Sequence, residues 1–323
     1  MTSRTKRTDR LDKNYIINGG FDFYQRKLSI YTTSVPSYPT ADRWAGNGPY
    51  TDLTGNHGSR RQEDAPVQMP SLRYSNQFRY TSNGSGSVCN LNQRVESIFA
   101  RDLAGQDVSL GFWIKNTDMQ NIQIKFYTAD VIDVFGASTV ILDTTIAADQ
   151  SGDWTFMSLE DIALPVDVAR GLEVAISFNT PTASAVEQSI YVTGIKLNIG
   201  KFAQDFSYSG RDWVEELSLC QRYFEKTYDL DVEVGTVTDW GRITLLKHDG
   251  LNELYQHFDY KVIKATPTVI VTVYSPTSGN ANQGSDGTAM SATNPGMSGS
   301  NLYMNRATNG PTTYVHVTAE SEI

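Results

Sequence analysis

The residues of this chain that could do chemistry are four histidines, two cysteines, a few close carboxylate pairs and a large set of aromatics. His57, His248, His257 and His316 include no His-x-x-x-His pair, and neither Cys89 nor Cys220 lies in a Cys-x-x-Cys. That spacing assigns no metal site. No Gly-x-Ser-x-Gly elbow and no Gly-x-x-x-x-Gly-Lys-(Ser/Thr) phosphate loop occurs, so neither a hydrolase nucleophile nor a nucleotide cofactor is indicated. Glycoside hydrolysis needs two carboxyls flanking the bond, about 5–10 Å apart. The near pairs are Glu215–Glu216, Glu160–Asp161 and Asp229–Asp231. The first falls on adjacent faces of a helix and the others at strand or loop ends, where they read as solvating charges. The sequence therefore assigns no catalytic residue, metal ligand or cofactor.

The aromatics offer a different chemistry. A sugar ring can lay its apolar face on Trp or Tyr while neighbouring polar groups bond its hydroxyls. Tyr50, Trp240, Tyr274 and Tyr303 stand in or beside polar stretches and are the candidate glycan contacts. Trp113 and Trp154 sit in apolar strands and read as core. Trp44 reads as core too, with Asp42 and Arg43 pairing at a sheet edge.

Those residues must be positioned by strands. The chain has 323 residues, enough for two domains. Hydrophobic content is 39% and charged content 20%, both under the averages of about 45–50% (counting Gly) and about 25%. Polar and small residues replace the missing charge, as suits strands with one wet face. Net charge is −9, which disfavours general nucleic-acid binding. No run of about 18 apolar residues is present, so no membrane insertion is expected. The N-terminus is polar and basic with no apolar h-region, which gives no expectation of a secretory signal. Two widely separated cysteines read as free thiols of a protein made in a reducing cytosol, a single disulfide being the other arrangement.

Residues 1–13 carry Arg4, Lys6, Arg7, Arg10 and Lys13 against Asp9 and Asp12, with Leu11 the one sizeable interior apolar side chain. Such an arm cannot build its own core. It is expected to dock on a protein partner. From Tyr15 to Gln25 the pattern predicts a short strand, an Asn18-Gly19-Gly20 turn and an extended segment. Residues 45–70, rich in Gly and Pro, read as an irregular insertion. Apolar alternation then predicts strands at Val88–Val95, Val108–Lys115, Ile122–Phe126, Val140–Leu142, Trp154–Leu159, Leu172–Phe178 and Ile190–Leu197. Short strands with no helical period between them indicate a two-sheet jelly roll. One helix is predicted over 213–226. Trp213, Leu217, Cys220 and Tyr223 form its apolar face, and Asp212 and Glu215 have the spacing of a capping box. Further strands follow at Val232–Val234, Arg242–Leu246, Val269–Tyr274 and Tyr314–Thr318, with 275–300 read as an exposed loop.

Four segments in order carry a resemblance. They are Ile17-Asn18-Gly19-Gly20-Phe21-Asp22-Phe23-Tyr24-Gln25-Arg26, Thr40-Ala41-Asp42-Arg43-Trp44, Leu110-Gly111-Phe112-Trp113-Ile114-Lys115 and Leu219-Cys220-Gln221-Arg222-Tyr223-Phe224-Glu225-Lys226. Over residues 16–226 the chain resembles a family of bacteriophage virion proteins, chiefly tail-fibre and appendage proteins. Tyr24 stands where that family usually has Trp, and Lys27 where it usually has Gly. The resemblance implies a jelly-roll domain of the kind found in carbohydrate-binding modules, placed on a virion, with no enzymatic activity.

The combined reading is a mostly β protein with a basic arm (1–13), a jelly-roll β-sandwich (14–205), and a linking helix plus a smaller C-terminal β domain (206–323). The expected function is a structural component of a phage particle, a homotrimeric tail fibre or appendage made in the host cytoplasm. Its arm would bind other virion proteins of tail or capsid, and its β domains would face a host-surface glycan. Two other readings are a capsid decoration protein or head fibre, and a glycan-degrading tail enzyme.

Overall fold

The structure is a computed structural model that describes residues 12–31, 41–47, 58–80, 88–179, 188–207, 211–246, 253–266, 268–305 and 312–323. Its strands, in chain order, are β1 (Ser29–Tyr31), β2 (Ala45–Asn47), β3 (Gly58–Gln62), β4 (Ser75–Tyr80), β5 (Val88–Val95), β6 (Asp107–Lys115), β7 (Asn121–Val131), β8 (Val134–Ala147), β9 (Trp154–Ala163), β10 (Leu172–Asn179) and β11 (Gln188–Ile199). They continue with β12 (Phe224–Lys226), β13 (Ile243–Leu246), β14 (Glu253–Asp259), β15 (Ile270–Tyr274), β16 (Ser291–Thr293), β17 (Gly299–Asn305) and β18 (Thr312–Glu320). A one-turn helix, α1 (Ser97–Ala100), follows β5, and α2 (Trp213–Gln221) precedes β12. The chain divides into two compact units. The first holds residues up to Asp22, Ser29–Glu216 and Ile323, and the second holds Phe23–Leu28 and Leu217–Glu322.

In the first unit, β1-β3-β4-β11-β6-β9 form one sheet and β2-β5-β10-β7-β8 the other. The pairings nest: β7 with β8, β6 with β9, β5 with β10 and β4 with β11, all antiparallel. That is a long hairpin, closed at β7–β8, wrapped so that successive strand pairs alternate between sheets. It is a jelly roll. Period-2 alternation fills the interior. Val108, Leu110, Phe112 and Ile114 of β6 point inward, as do Ile122, Ile124 and Phe126 of β7 and Val174, Ile176 and Phe178 of β10, and all are buried.

Asn18, Phe21, Asp42, Arg43 and Trp44 make a buried hub and not a pair of strands. Asn18 (φ 56°) and Phe21 (φ 57°) make a tight turn closed by the Phe21 N–H on the Asn18 carbonyl. Gly19 sits so close to β11 that a Cβ would lie 2.1 Å from the Ile195 carbonyl oxygen, which only a missing side chain allows. Asn18 Nδ2 donates to the Asp42 carbonyl at 3.0 Å, and Trp44 Nε1 donates to the Asn18 carbonyl at 3.0 Å. The Phe21 and Trp44 rings stack 5.6 Å apart. Arg43 is buried and its guanidinium donates to the Arg94 carbonyl. The Asn18 N–H donates to Glu216 Oε1, and Arg211 pairs with Glu216 Oε2 at 3.0 Å. Burial holds the Glu216 carboxyl above its ordinary range, with the Arg211 charge and the Asn18 N–H working against that rise.

The helix begins as its sequence dictates. The Glu215 N–H donates to Asp212 Oδ1 at 2.8 Å, and the Asp212 N–H donates back to Glu215 Oε2 at 3.2 Å. It stops at Gln221, earlier than the predicted 226, because Phe224–Lys226 pairs with β18 as β12. Its buried residues are Glu216, Cys220 and Gln221, whereas Trp213 is 51% exposed, so the predicted apolar face is turned.

In the second unit β18 is central. It pairs with β13 and β12 in turn along one edge and with β15 along the other. β14, β17 and β16 form a separate three-stranded sheet. Leu245, Leu254, Val273, Met290, Leu302, Met304, Val315 and Val317 make its core. Residues 275–300, expected as an exposed loop, contain β16 and the start of β17, with Met290 buried. Val232–Val234 is irregular backbone and not a strand. The Gln25-Arg26 pair is built into this unit. Gln25 Nε2 donates to the Phe224 carbonyl at 3.0 Å, and the Arg26 guanidinium lies 4.0 Å over the Phe224 ring while pairing with Glu320 and Glu322. The first and last of the four recognised segments thus meet in one frame.

Candidate functional site

Trp113 and Trp154, expected in the core, lie on the outer face of the six-stranded sheet. The reason is phase. β6 buries Val108, Leu110, Phe112 and Ile114, so Trp113 and Lys115 project to the other side. Register then places Phe156 of β9 opposite Trp113, and Trp154 opposite Lys115. Tyr191 of β11 is also opposite Lys115, Gln77 of β4 is opposite Tyr191, and Arg60 of β3 is opposite Gln77.

Arg60, Gln77, Tyr191, Lys115 and Trp154 therefore form one continuous row across five adjacent strands. At about 4.8 Å per strand it runs about 19 Å, perpendicular to the strands. Its members are tied together. Trp154 Nε1 donates to Asp64 Oδ1 at 3.1 Å, and Lys115 Nζ pairs with Asp64 Oδ2 at 2.9 Å. The Lys115 ammonium lies 5.3 Å from the Tyr191 ring centre. The Trp154 and Tyr191 rings meet edge-on with centroids 6.4 Å apart. Gln77 Nε2 donates to Tyr191 Oη and to Ser189 Oγ, both at 2.8 Å, and Gln77 Oε1 accepts from Arg60 Nε. The Gln62 amide lies 2.9 Å from the same oxygen. Both aromatics of the row, Trp154 and Tyr191, are half-buried.

Beside the row, Trp113 and Phe156 pack at 5.6 Å, and the bulge at Gly194 (φ 64°) is ringed by Leu72, Trp113 and Phe206. These residues close one end of the face. What remains is a shallow aromatic platform edged by fixed amide, hydroxyl, carboxylate and cationic groups. That combination has the chemistry to receive a polyhydroxylated ligand.

The residues singled out by sequence are distributed elsewhere. Arg4, Lys6, Arg7, Arg10 and Tyr50 lie outside the described residues. Lys13 pairs with Asp102 at 3.4 Å and rests over the Tyr15 and Phe99 rings, at 4.5 and 5.6 Å. Trp240 is 76% exposed in a loop of the second unit. Tyr274 is half-buried against Tyr228, with ring centroids 6.4 Å apart, and burial raises the pKa of its phenol. Tyr303 lies on β17, in a different sheet from Tyr274. Among the described residues no group of three or more His, Cys, Asp or Glu could hold a metal ion, and no helix is long and apolar enough to cross a membrane. Cys89 and Cys220 are both free and buried. The signal for the platform was present in β6, where Trp113 shares its phase with Ser109, Gly111 and Lys115 and not with the aliphatics.

Comparison with known proteins gives structural likeness only. No family model matches the chain, and no curated protein aligns with it. Among solved structures it is similar to the enzymatically active domain of tailspike protein 4 of bacteriophage CBA120, at 17% identity and a TM-score of 0.38, covering 58% of this chain and 21% of that one. It is similar to a xylan-binding domain from CBM 22, at 12% identity and a TM-score of 0.33, covering 57% and 99%. A family 11 carbohydrate-binding module from Clostridium thermocellum, in complex with a mixed-linked tetrasaccharide, matches at 12% identity and a TM-score of 0.29, covering 55% and 98%. Superpositions this loose assign no ligand, residue role or activity to this chain.

Proposed function

We propose that this protein is a non-catalytic glycan-binding component of a phage particle, a tail fibre or related appendage. The observation that carries the binding part is the in-register row Arg60–Gln77–Tyr191–Lys115–Trp154 on the outer face of the jelly roll. Two half-buried aromatics stand there, and their edges are fixed by Asp64 and Gln77 before any ligand arrives. Preorganised contacts of this kind reduce the ordering cost of binding. The particle part rests on the four sequence segments that resemble those of a family of virion proteins. The first and second build the hub of Asn18 and Trp44, and the first and fourth the Gln25–Phe224 frame, so these three act as scaffold, whereas the third lies in β6 and carries Lys115 of the row. The arm at 1–13 would dock on tail or capsid proteins. A homotrimer would multiply weak glycan contacts through effective concentration.

The test is affinity electrophoresis of the purified protein through gels containing host-surface polysaccharide, with a reducing-end assay on the same mixture. Retardation without new reducing ends supports binding without chemistry. New reducing ends would establish the glycan-degrading reading in its place. A particle reconstruction with density confined to the head would replace the appendage reading by a decoration protein.

A further inference from the structure

Resting on the platform reading, we propose that the saccharide it takes is anionic, and that Arg60 receives its acidic group. The platform's charges are unevenly matched. Lys115 is neutralised by Asp64 at 2.9 Å, and the nearby Glu63 pairs with Arg73 at 3.2 Å. Arg60 has no carboxylate partner among the described residues, and its Nε is held by the Gln77 amide oxygen. Glutamine fixes the guanidinium without cancelling its charge. In a chain with 36 acidic residues against 27 basic ones, an arginine lined by Gln77, Gln62 and the Tyr191–Gln77 bond runs against the overall balance.

Position supports the same conclusion. Arg60 ends the row that Trp154 begins, four strand spacings away, about 19 Å. A chain of sugar rings lying over Trp154 and Tyr191 and following the row reaches the guanidinium with a later unit. A planar guanidinium matches a carboxylate in a two-bond fork, a geometry that a neutral hydroxyl does not fill. The row thus divides the work, with ring stacking at one end and charge recognition at the other.

The experiment uses the full chain and two polymers with the same rings and linkage, polygalacturonate and its fully methyl-esterified form. Alginate, hyaluronate and dextran sulfate serve as further acidic probes, and xylan as a neutral one. Dissociation constants are measured by calorimetry at two salt concentrations. The expected result is that at least one acidic polymer binds about tenfold or more tighter than the neutral ones, with an advantage that shrinks as salt rises. Arg60→Gln should collapse the ratio of acidic to neutral affinity towards one, and Arg60→Lys should restore part of it. Trp154→Ala should weaken acidic and neutral binding together. Equal binding of acid and ester, no binding of any acidic polymer, or a ratio unchanged in Arg60→Gln would overturn the anionic assignment and leave the platform standing. Binding unchanged in Trp154→Ala would overturn the platform itself.

Discussion

Trp154 and Lys115 are opposite one another across β9 and β6, and both are held by the two oxygens of a single carboxylate, Asp64. The indole is thereby fixed at its nitrogen, edge-on to Tyr191 at 68°. This is how a loop residue outside the sheet sets the attitude of a side chain on it. Asp64→Asn should keep one bond and lose the ion pair. Because Lys115 and Asp64 side chains are 34% and 36% exposed, the pair contributes only about 0–1 kcal/mol to folding. The expected outcome is an unfolding midpoint shifted by a few degrees at most, with glycan affinity reduced several-fold. A large loss of stability with intact affinity would contradict the positioning role.

The Asn18–Trp44 hub should behave as scaffold. Trp44 is 1% exposed, stacks on Phe21 and bonds the Asn18 carbonyl. Trp44→Ala should cost about 3–5 kcal/mol. Gly19→Ala should prevent the native turn, since its Cβ would overlap the Ile195 carbonyl. Circular dichroism and denaturant melts check both. Either variant folding with wild-type stability would refute this role.

In the second unit, Lys264 and Glu225 are buried at 0% and 2% side-chain exposure and pair at 2.7 Å, with Lys264 Nζ also on the Gln221 carbonyl. Burial lowers the Lys264 pKa, and the Glu225 charge works against that drop. Lys264→Met leaves a buried carboxylate without its cation and should cost about 3–5 kcal/mol. The double variant Lys264→Met/Glu225→Leu should recover a substantial part of that. A double mutant no more stable than the single one would show that the pair is not the source of the loss.

His316 gives a pH signature. Its ring is buried, stacked on Tyr228 at 3.8 Å, with Nε2 at 2.9 Å from the Thr238 carbonyl. Burial holds its pKa below the usual 6.5, with the Thr238 bond opposing. The unfolded chain therefore takes up a proton near pH 6.5 that the folded chain refuses, and stability falls as pH drops through that value. Denaturant midpoints measured between pH 7.5 and 5.5 should decline for the wild type by more than for His316→Gln. Equal slopes would remove His316 as the cause.

Much of this was legible in the sequence. The nested strands follow from alternation that stays in phase, as in Ile122-Gln123-Ile124-Lys125-Phe126, and the capping box at Asp212 and Glu215 formed as its spacing required. The platform was harder to see. Phe112 and Trp113 are consecutive, so one must face outward, and only the polar company of Trp113 says which. β9 is an edge strand whose two faces are both half-exposed through Trp154–Met157, which leaves its phase unreadable without the register to β6. Residues 275–300 misled because single apolar anchors such as Met290 hold strands that are otherwise polar. The helix face shifted because a buried acid, Glu216, replaced an apolar residue at the contact, and no periodicity rule anticipates that.

The measurement that bears most directly on the central claim is the affinity of the wild type and of Trp154→Ala and Tyr191→Ala for a polysaccharide the wild type retains, with melts of all three proteins. The account predicts that each substitution weakens binding at least about tenfold, as expected for central aromatic anchors, while both variants keep a cooperative unfolding transition. Undiminished affinity in both folded variants would contradict it.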